Sequence, residues 1–208
     1  GAMALTVKES EVADMLRGLA AKPALVITDS QAVREVAAAV PEDIRLTTFS
    51  TLFARYKGDF AAQLAGAAAI DTLKDGDRVL IAEGCSHHVT CDDIGRVKIP
   101  NWMKKYTGRE LKFEWTQGAD FPDNLEDYAL VVHCGGCMLN RAEVRRRINE
   151  CARQGVKVTN YGIVISKMQG VLERVVKGIA DAGATGSVSA TGSISDTGSI
   201  SDTGEEGD

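Results

Sequence analysis

The sequence predicts an α/β fold with parallel sheets flanked by helices, divided into two small α/β domains and a disordered C-terminal tail. Short aliphatic runs at Val79–Ala82 and Tyr128–Val132 lead into glycine-containing loops, as buried strands commonly do. Helical stretches alternate with these runs, and this alternation indicates a parallel sheet covered by helices. Residues 183–208 are rich in Ser and Gly and carry weak six-residue repeats, a composition that cannot bury a core.

The first predicted domain covers residues 1–73 and contains two strands among its helices. Pro41 ends one helix, and a turn at Lys74–Asp77 marks the domain boundary. The Ala-rich centre of the last helix allows close packing, either inside the domain or across an oligomer interface. The predicted elements are a helix over 5–20, a strand at 24–28, a helix at 31–40, a strand at 45–48, and helices at 50–56 and 60–73.

The second predicted domain covers residues 74–182 and contains the larger sheet. Pro100 suits the first turn of a helix, and Asn140 with Glu143 three positions later is typical of a capped helix N-terminus. The basic run Arg145–Arg147 on that second helix is interpreted as a solvated face. Strands are predicted at 78–82, 110–115, 128–132 and 156–160, and helices at 100–106, 140–154 and 161–179.

Two clusters of cysteine and histidine directly follow two of these strands. The first is Cys85-Ser86-His87-His88, and the second is His133-Cys134-Gly135-Gly136-Cys137. Because the carboxyl ends of parallel strands lie at one edge of a sheet, we expect the clusters to meet. Thiolates and imidazoles suit zinc and iron–sulfur clusters, and would suit calcium or magnesium poorly. The candidate ligands are Cys85, Cys134, Cys137, His87 and His133.

Three chemistries fit this set of residues. Three thiolates leave a 4Fe–4S cluster one ligand short, and His87, His133, a carboxylate or a small exchangeable molecule would complete it. A zinc ion in a Cys₃His site fits almost as well, in a structural or a hydrolytic role. A Cys134 nucleophile with a histidine base is the third interpretation.

The remaining cysteines and one histidine are interpreted as non-ligands. Cys151 lies inside a predicted helix and is expected to be a core thiol, and Cys91 precedes a predicted helix start. His88 is expected to neighbour the site without binding metal. The positive end of the helix capped by Asn140 is expected to lower the pKa of nearby thiols.

Composition narrows the classes of function. The net charge is -5, but 183–208 contains five acidic residues and no Lys or Arg, so the rest of the chain is balanced and gives no indication of nucleic-acid binding. No apolar stretch is long enough to span a membrane.

Clustering of cysteine with histidine favours metal over disulfides, which predicts a cytoplasmic location. The sequence lacks a G-x-x-x-x-G-K-[ST] loop, so the chain is not expected to hydrolyse nucleotides through a P-loop.

The cysteine motifs resemble those of HydF, the maturation GTPase of iron–iron hydrogenases. The pattern Cys85-x-His87 with His133-Cys134-x-x-Cys137 carries the resemblance, and Asp93–Pro100 and Thr159–Gly162 also look like that family. The similarity covers roughly residues 5–180. Members of the family have a GTP-binding domain, a dimerisation domain and a cluster-binding domain, and this chain resembles the last two. The resemblance therefore implies that this chain is not itself an enzyme.

The resemblance also implies a scaffold role. It implies a 4Fe–4S cluster held by Cys85, Cys134 and Cys137, with His87 and His133 at the histidine positions of the motif. It further implies a diiron precursor, built by two radical-SAM maturases and delivered to apo-hydrogenase. A homodimer is expected, without nucleic-acid or membrane partners.

Overall fold

The computed structural model describes residues 3–85 and 93–180 and shows two parallel sheets flanked by helices, as the sequence predicts. The strands are β1 (Val26–Thr28), β2 (Leu46–Thr48), β3 (Arg78–Ala82), β4 (Lys112–Thr116), β5 (Leu130–His133) and β6 (Val158–Asn160). The α-helices are α1 (Val12–Gly18), α2 (Val33–Ala39), α3 (Phe49–Lys57), α4 (Phe60–Ala67), α5 (Ile99–Thr107), α6 (Arg141–Arg153), α7 (Tyr161–Met168) and α8 (Leu172–Ala180). Glu9–Glu11 and Ala68–Thr72 form 3₁₀ turns, and Ile94–Lys98 forms a π-helical turn.

The small sheet consists of β1 and β2, which run parallel. Helix α8 lies directly on β2, because a Cβ added at Gly178 would come within 2.0 Å of the Leu46 carbonyl oxygen. Arg174 of the same helix donates hydrogen bonds to the Ala37 and Val40 carbonyls at the end of α2. Helix α8 therefore covers the first sheet, although it lies in the predicted second domain.

The large sheet has the strand order β4-β3-β5-β6, and all its strands are parallel. Side chains alternate across it: Val79 and Ile81 of β3 pack into the core formed with α5 and α7, whereas Leu80 and Ala82 pack into the core formed with α6. Helix α4 crosses β6 so closely that a Cβ at Gly66 would lie 1.9 Å from a backbone oxygen of that strand. The carboxyl ends of all four strands lie at one edge.

All six predicted strands are present, with ends within two residues of the prediction. The helix predicted over 5–20 is wrong in extent, because only the 3₁₀ turn and α1 form within it. The helix predicted over 60–73 tightens into a 3₁₀ turn after Ala67, as helix ends often do. The single helix predicted over 161–179 is also wrong. It breaks at Gly170, whose φ of 74° belongs to the left-handed region that ends helices.

The interpretation of Arg145–Arg147 as a solvated face is wrong for Arg147, which is 1% exposed. Its Nε donates to Glu143 Oε1 at 2.7 Å, and its Nη2 donates to the Gly118 carbonyl at 2.5 Å. The guanidinium also lies 5.1 Å from the centre of the Phe121 ring. Arg147 therefore ties α6 to the loop that follows β4.

The division into domains after residue 73 stays a prediction. Helix α4 falls in the predicted first domain, yet it packs on β6 of the large sheet. The predicted tail at 183–208 lies outside the described residues.

Candidate metal centre

The two cysteine loops begin at the same edge of the large sheet, where Ala82 of β3 lies opposite His133 of β5. The Cys134 N–H donates to the Ala82 carbonyl at 2.8 Å, which extends the strand pairing into the second loop. The Gly84 N–H in turn donates to Cys134 Sγ at 3.0 Å. The prediction that the two strands bring their loops together is confirmed.

Backbone donors surround the Cys134 thiol, because the Gly136 N–H also donates to its Sγ, at 3.3 Å. Burial raises the pKa of Cys134, the N–H groups of Gly136 and Gly84 lower it, and the nearby Cys85 and Cys137 raise it. The expected lowering of the pKa is therefore wrong for Cys134, since burial outweighs the two donors. The Cys134 thiol is therefore buried and is held by two backbone donors at the point where the two cysteine loops meet.

Both donors to Cys134 are glycines for steric reasons. Gly136 has a φ of 63°, which most side chains disfavour. A Cβ on Gly84 would come within 2.8 Å of the Leu139 side chain. A larger residue at position 84 would therefore push the first loop away from the second. The local sequence therefore holds two N–H groups against one sulfur atom.

The other two cysteines differ in exposure. Cys85 is half-buried and Cys137 is exposed. Cys137 shortly precedes α6, whose predicted cap is confirmed: Asn140 Oδ1 accepts a hydrogen bond from the Glu143 N–H at 2.8 Å. Cys137 therefore gives the site a solvent-facing side next to the positive end of a helix.

His133 points to the other face of the sheet from Cys134. Its side chain is 1% exposed and lies near Gly136 and α6, whereas Cys134 packs against the core formed with α5 and α7. His133 Nδ1 bonds the Cys134 carbonyl at 2.8 Å, and Nε2 has no hydrogen-bond partner among the described residues. Burial lowers the pKa of His133 to about 4, so the ring is neutral. In this arrangement its imidazole supports the backbone of the cysteine loop.

A buried polar cluster lies beside the first loop. Glu83 is 2% exposed, and its Oε2 accepts a hydrogen bond from Arg96 Nη2 at 3.0 Å. A Cβ added at Gly95 would lie 2.4 Å from the Tyr161 hydroxyl and 2.6 Å from Glu83 Oε1, so all three groups converge there. Burial, followed by the nearby Cys134 and Glu83, raises the pKa of Tyr161 well above its ordinary value. Tyr161 is therefore a neutral phenol close to the cysteine edge.

Helix α3 and the end of β6 hold the backbone of the second loop through a chain of hydrogen bonds. Asn160 Nδ2 donates to the Cys134 carbonyl at 3.4 Å, and its Oδ1 accepts from Ser50 Oγ at 2.8 Å. The Gly162 N–H donates to both Asn160 Oδ1 and Ser50 Oγ. Sequence reasoning missed this group, although Asn160 stands at the end of a predicted strand on the same sheet edge.

The chemistry of the cysteine donors fits an iron–sulfur or zinc centre, since Cys85, Cys134 and Cys137 all lie in the two loops that meet at this sheet edge, and Cys134 already accepts two N–H bonds. Within residues 3–85 and 93–180, no three Cys, His, Asp or Glu side chains are close enough to hold a single metal ion. His87, His88 and Cys91 lie outside the described residues. Cys151 is fully buried, as expected of a core thiol, and burial raises its pKa to about 12.

Residues 61–178, more than half of the chain, match the family model of the hydrogen maturase F tetramerization domain. The chain belongs to the hydrogen maturase F (HydF) family. Residues 1–58 match the HydF dimerization domain, so the resemblance seen in the cysteine motifs is confirmed over both parts of the chain. A comparison with curated proteins gave no match.

Family membership supports a role in hydrogenase maturation, and the names of the two matched domains support self-association of this HydF chain. Neither domain is named for a catalytic activity. The two matches meet between residues 58 and 61, at the start of α4. In the described part of the chain, no helix combines the length and the apolar character needed to cross a membrane.

Proposed function

We propose that this HydF chain is an iron–sulfur scaffold in hydrogenase maturation. In this proposal Cys85, Cys134 and Cys137 hold a 4Fe–4S cluster at the edge of the large sheet. The observation that carries it is the Cys134 sulfur, which accepts two backbone N–H bonds at the point where both cysteine loops meet. N–H donors of this kind stabilise a thiolate and tune a bound cluster.

The protein groups have separate tasks in this proposal. Cys134 is the fixed ligand, because its sulfur, its N–H and its carbonyl all have hydrogen-bond partners. The exposed Cys137 lies on the side from which a partner protein would approach. When bound, a cluster with three cysteine ligands offers one iron with an exchangeable position. His87 and His133 are proposed for that position or for contacts to a diiron precursor, and a His133 ligand would have to leave the face of α6.

The proposed partners follow from the scaffold role. Two radical-SAM maturases would supply the diiron precursor, and apo-hydrogenase would receive it. We also propose that the chain is a homodimer, which the match to a dimerization domain supports.

Anaerobic reconstitution with iron and sulfide tests the cluster. The expected result is about four irons and four sulfides per chain with broad visible absorption. Single replacement of Cys85, Cys134 or Cys137 by Ala should remove stable cluster binding without unfolding the chain. Cys151→Ala is the matched control, because that thiol belongs to α6 and lies fully buried in the core, away from the two loops.

Two results would contradict the proposal. A variant of one of the three cysteines that keeps full iron and an unchanged spectrum would show that this cysteine is not a ligand. One zinc ion per chain, with no iron retained, would instead support the zinc site that the same residues fit.

A further inference from the structure

Lys57, at the end of α3, is bound to the second cysteine loop through three hydrogen bonds. Its Nζ donates to the carbonyl oxygens of Gly136 at 2.9 Å, Cys137 at 3.1 Å and Leu139 at 2.7 Å. An ammonium group has three N–H donors, so the loop uses all of them. The Phe53 ring, one turn earlier on α3, lies 4.9 Å from the same nitrogen. Three carbonyl oxygens and one ring face therefore hold the half-buried ammonium in place.

This contact joins the two matched parts of the chain. Lys57 lies within the match to the dimerization domain, whereas its acceptors lie within the match to the tetramerization domain. Ser50, on the same helix, reaches Asn160, which donates to the Cys134 carbonyl. Helix α3 thus holds the Cys134–Cys137 loop at both of its ends.

The charge at Lys57 also needs explanation. The ammonium lies close to the N-terminus of α6, where the helix dipole is already positive and disfavours a cation. Among the described residues, the partners of the Lys57 ammonium are three carbonyl oxygens and the Phe53 ring, and none of them is a carboxylate. The Lys57 ammonium and the positive N-terminus of α6 therefore lie together beside Cys137. Negatively charged thiolates would stabilise this arrangement.

We propose that Lys57 is a positioning residue of the cysteine site, which makes α3 of the dimerization part necessary for metal retention by the other part. This inference rests on the proposed iron–sulfur function for its metal readout. Lys57 acts through its hydrogen bonds to the backbone of Gly136–Leu139 and through its positive charge. It does not bind the metal itself.

The test compares Lys57→Met, Lys57→Gln and Lys57→Arg with Lys105→Met, an exposed lysine on α5 that serves as the matched control. After anaerobic reconstitution, iron loss to a chelator should be about 10-fold to 100-fold faster in Lys57→Met, the range for loss of a residue that supports a ligand. Lys57→Arg should recover part of the retention, because it restores donors and charge. The midpoint potential of the cluster should fall in both neutral variants and stay near the parent value in Lys57→Arg.

Hydrogen exchange on the metal-free chain separates this inference from the cluster proposal. Lys57→Met should speed exchange of the amides at 135–139, while Lys105→Met leaves them unchanged. If the parent chain takes up no iron, the proposed function fails. The exchange result alone then shows whether Lys57 positions the cysteine loop. Unchanged exchange, or iron loss and potential equal to those of Lys105→Met, would overturn the inference.

Discussion

The ion pairs of Glu143 with Arg146 and Arg147 should stabilise the helix that follows the cysteine loop, and Glu143→Gln measures their combined contribution. The neighbouring Arg146 and Arg147 lower the pKa of Glu143 from 4.5 to about 2. Each pKa unit corresponds to about 1.4 kcal/mol, so this change in the pKa sets a ceiling of about 3.5 kcal/mol. Because the Glu143 side chain is 26% exposed, solvent screening reduces the expected loss to about 2 kcal/mol.

The sign of the pH dependence follows from the direction of this change. The pKa of Glu143 is lower in the folded chain than in the unfolded chain, so its stabilisation is present above about pH 4.5. It is lost as the pH falls toward 2, where both states are protonated. The difference between the parent chain and Glu143→Gln should therefore be complete at pH 7 and shrink by more than half by pH 3.

Urea unfolding at pH 7 and pH 3 measures this difference, and thermal unfolding at pH 7 should show a midpoint lower by about 4–8 °C. Glu150→Gln on the same helix is the control. Arg153 is the main cause that lowers the pKa of Glu150 to about 2, but Arg153 is 69% exposed. The control should therefore change stability little. A loss as large in Glu150→Gln, or an equal loss at both pH values in Glu143→Gln, would refute the reasoning.

Three further outcomes are expected. Gly178→Ala should destabilise the chain by about 1–3 kcal/mol in urea unfolding, because the new Cβ would meet the Leu46 carbonyl oxygen. Gly18→Ala, with nothing within 4 Å of its Cβ, should not destabilise it, and equal effects of the two changes would contradict the close packing of α8. His133→Ala should keep its iron after reconstitution, since the ring faces α6, and complete loss of the cluster would identify it as an essential ligand. Light scattering on the full chain and on a version ending at Ala182 should give the same oligomeric state, and a difference would assign the tail a role in assembly.

The sequence was informative where hydrophobic patterning alone decides structure. Aliphatic runs such as Val79–Ala82 gave the strands, and the rule that parallel strands end at one edge brought Cys85 and Cys134 together. The orientation of His133 could also have been predicted from the sequence. It directly follows Val132, and successive side chains of a strand alternate between faces. Its burial under α6 follows from that alternation.

Long-range contacts were not accessible to sequence reasoning. Nothing near Lys57 in sequence indicates that its ammonium binds carbonyls 79 or more residues later. Arg147 looked solvated because its two preceding residues are exposed arginines, and only the loop after β4 buries it. The break at Gly170 was missed because a single glycine inside a helical pattern does not by itself predict a helix end.

The position of α8 on the small sheet has a consequence for the order of folding during synthesis. A sheet of two three-residue strands is not stable alone, so β1 and β2 need the helices that cover them. Arg174 meets its Ala37 acceptor across 137 residues of chain. At about 5–20 residues per second, the ribosome needs about 7–27 seconds to make that stretch. During this interval β1 and β2 lack the cover of α8, and their unpaired strand edges are open to chaperones or to another nascent chain.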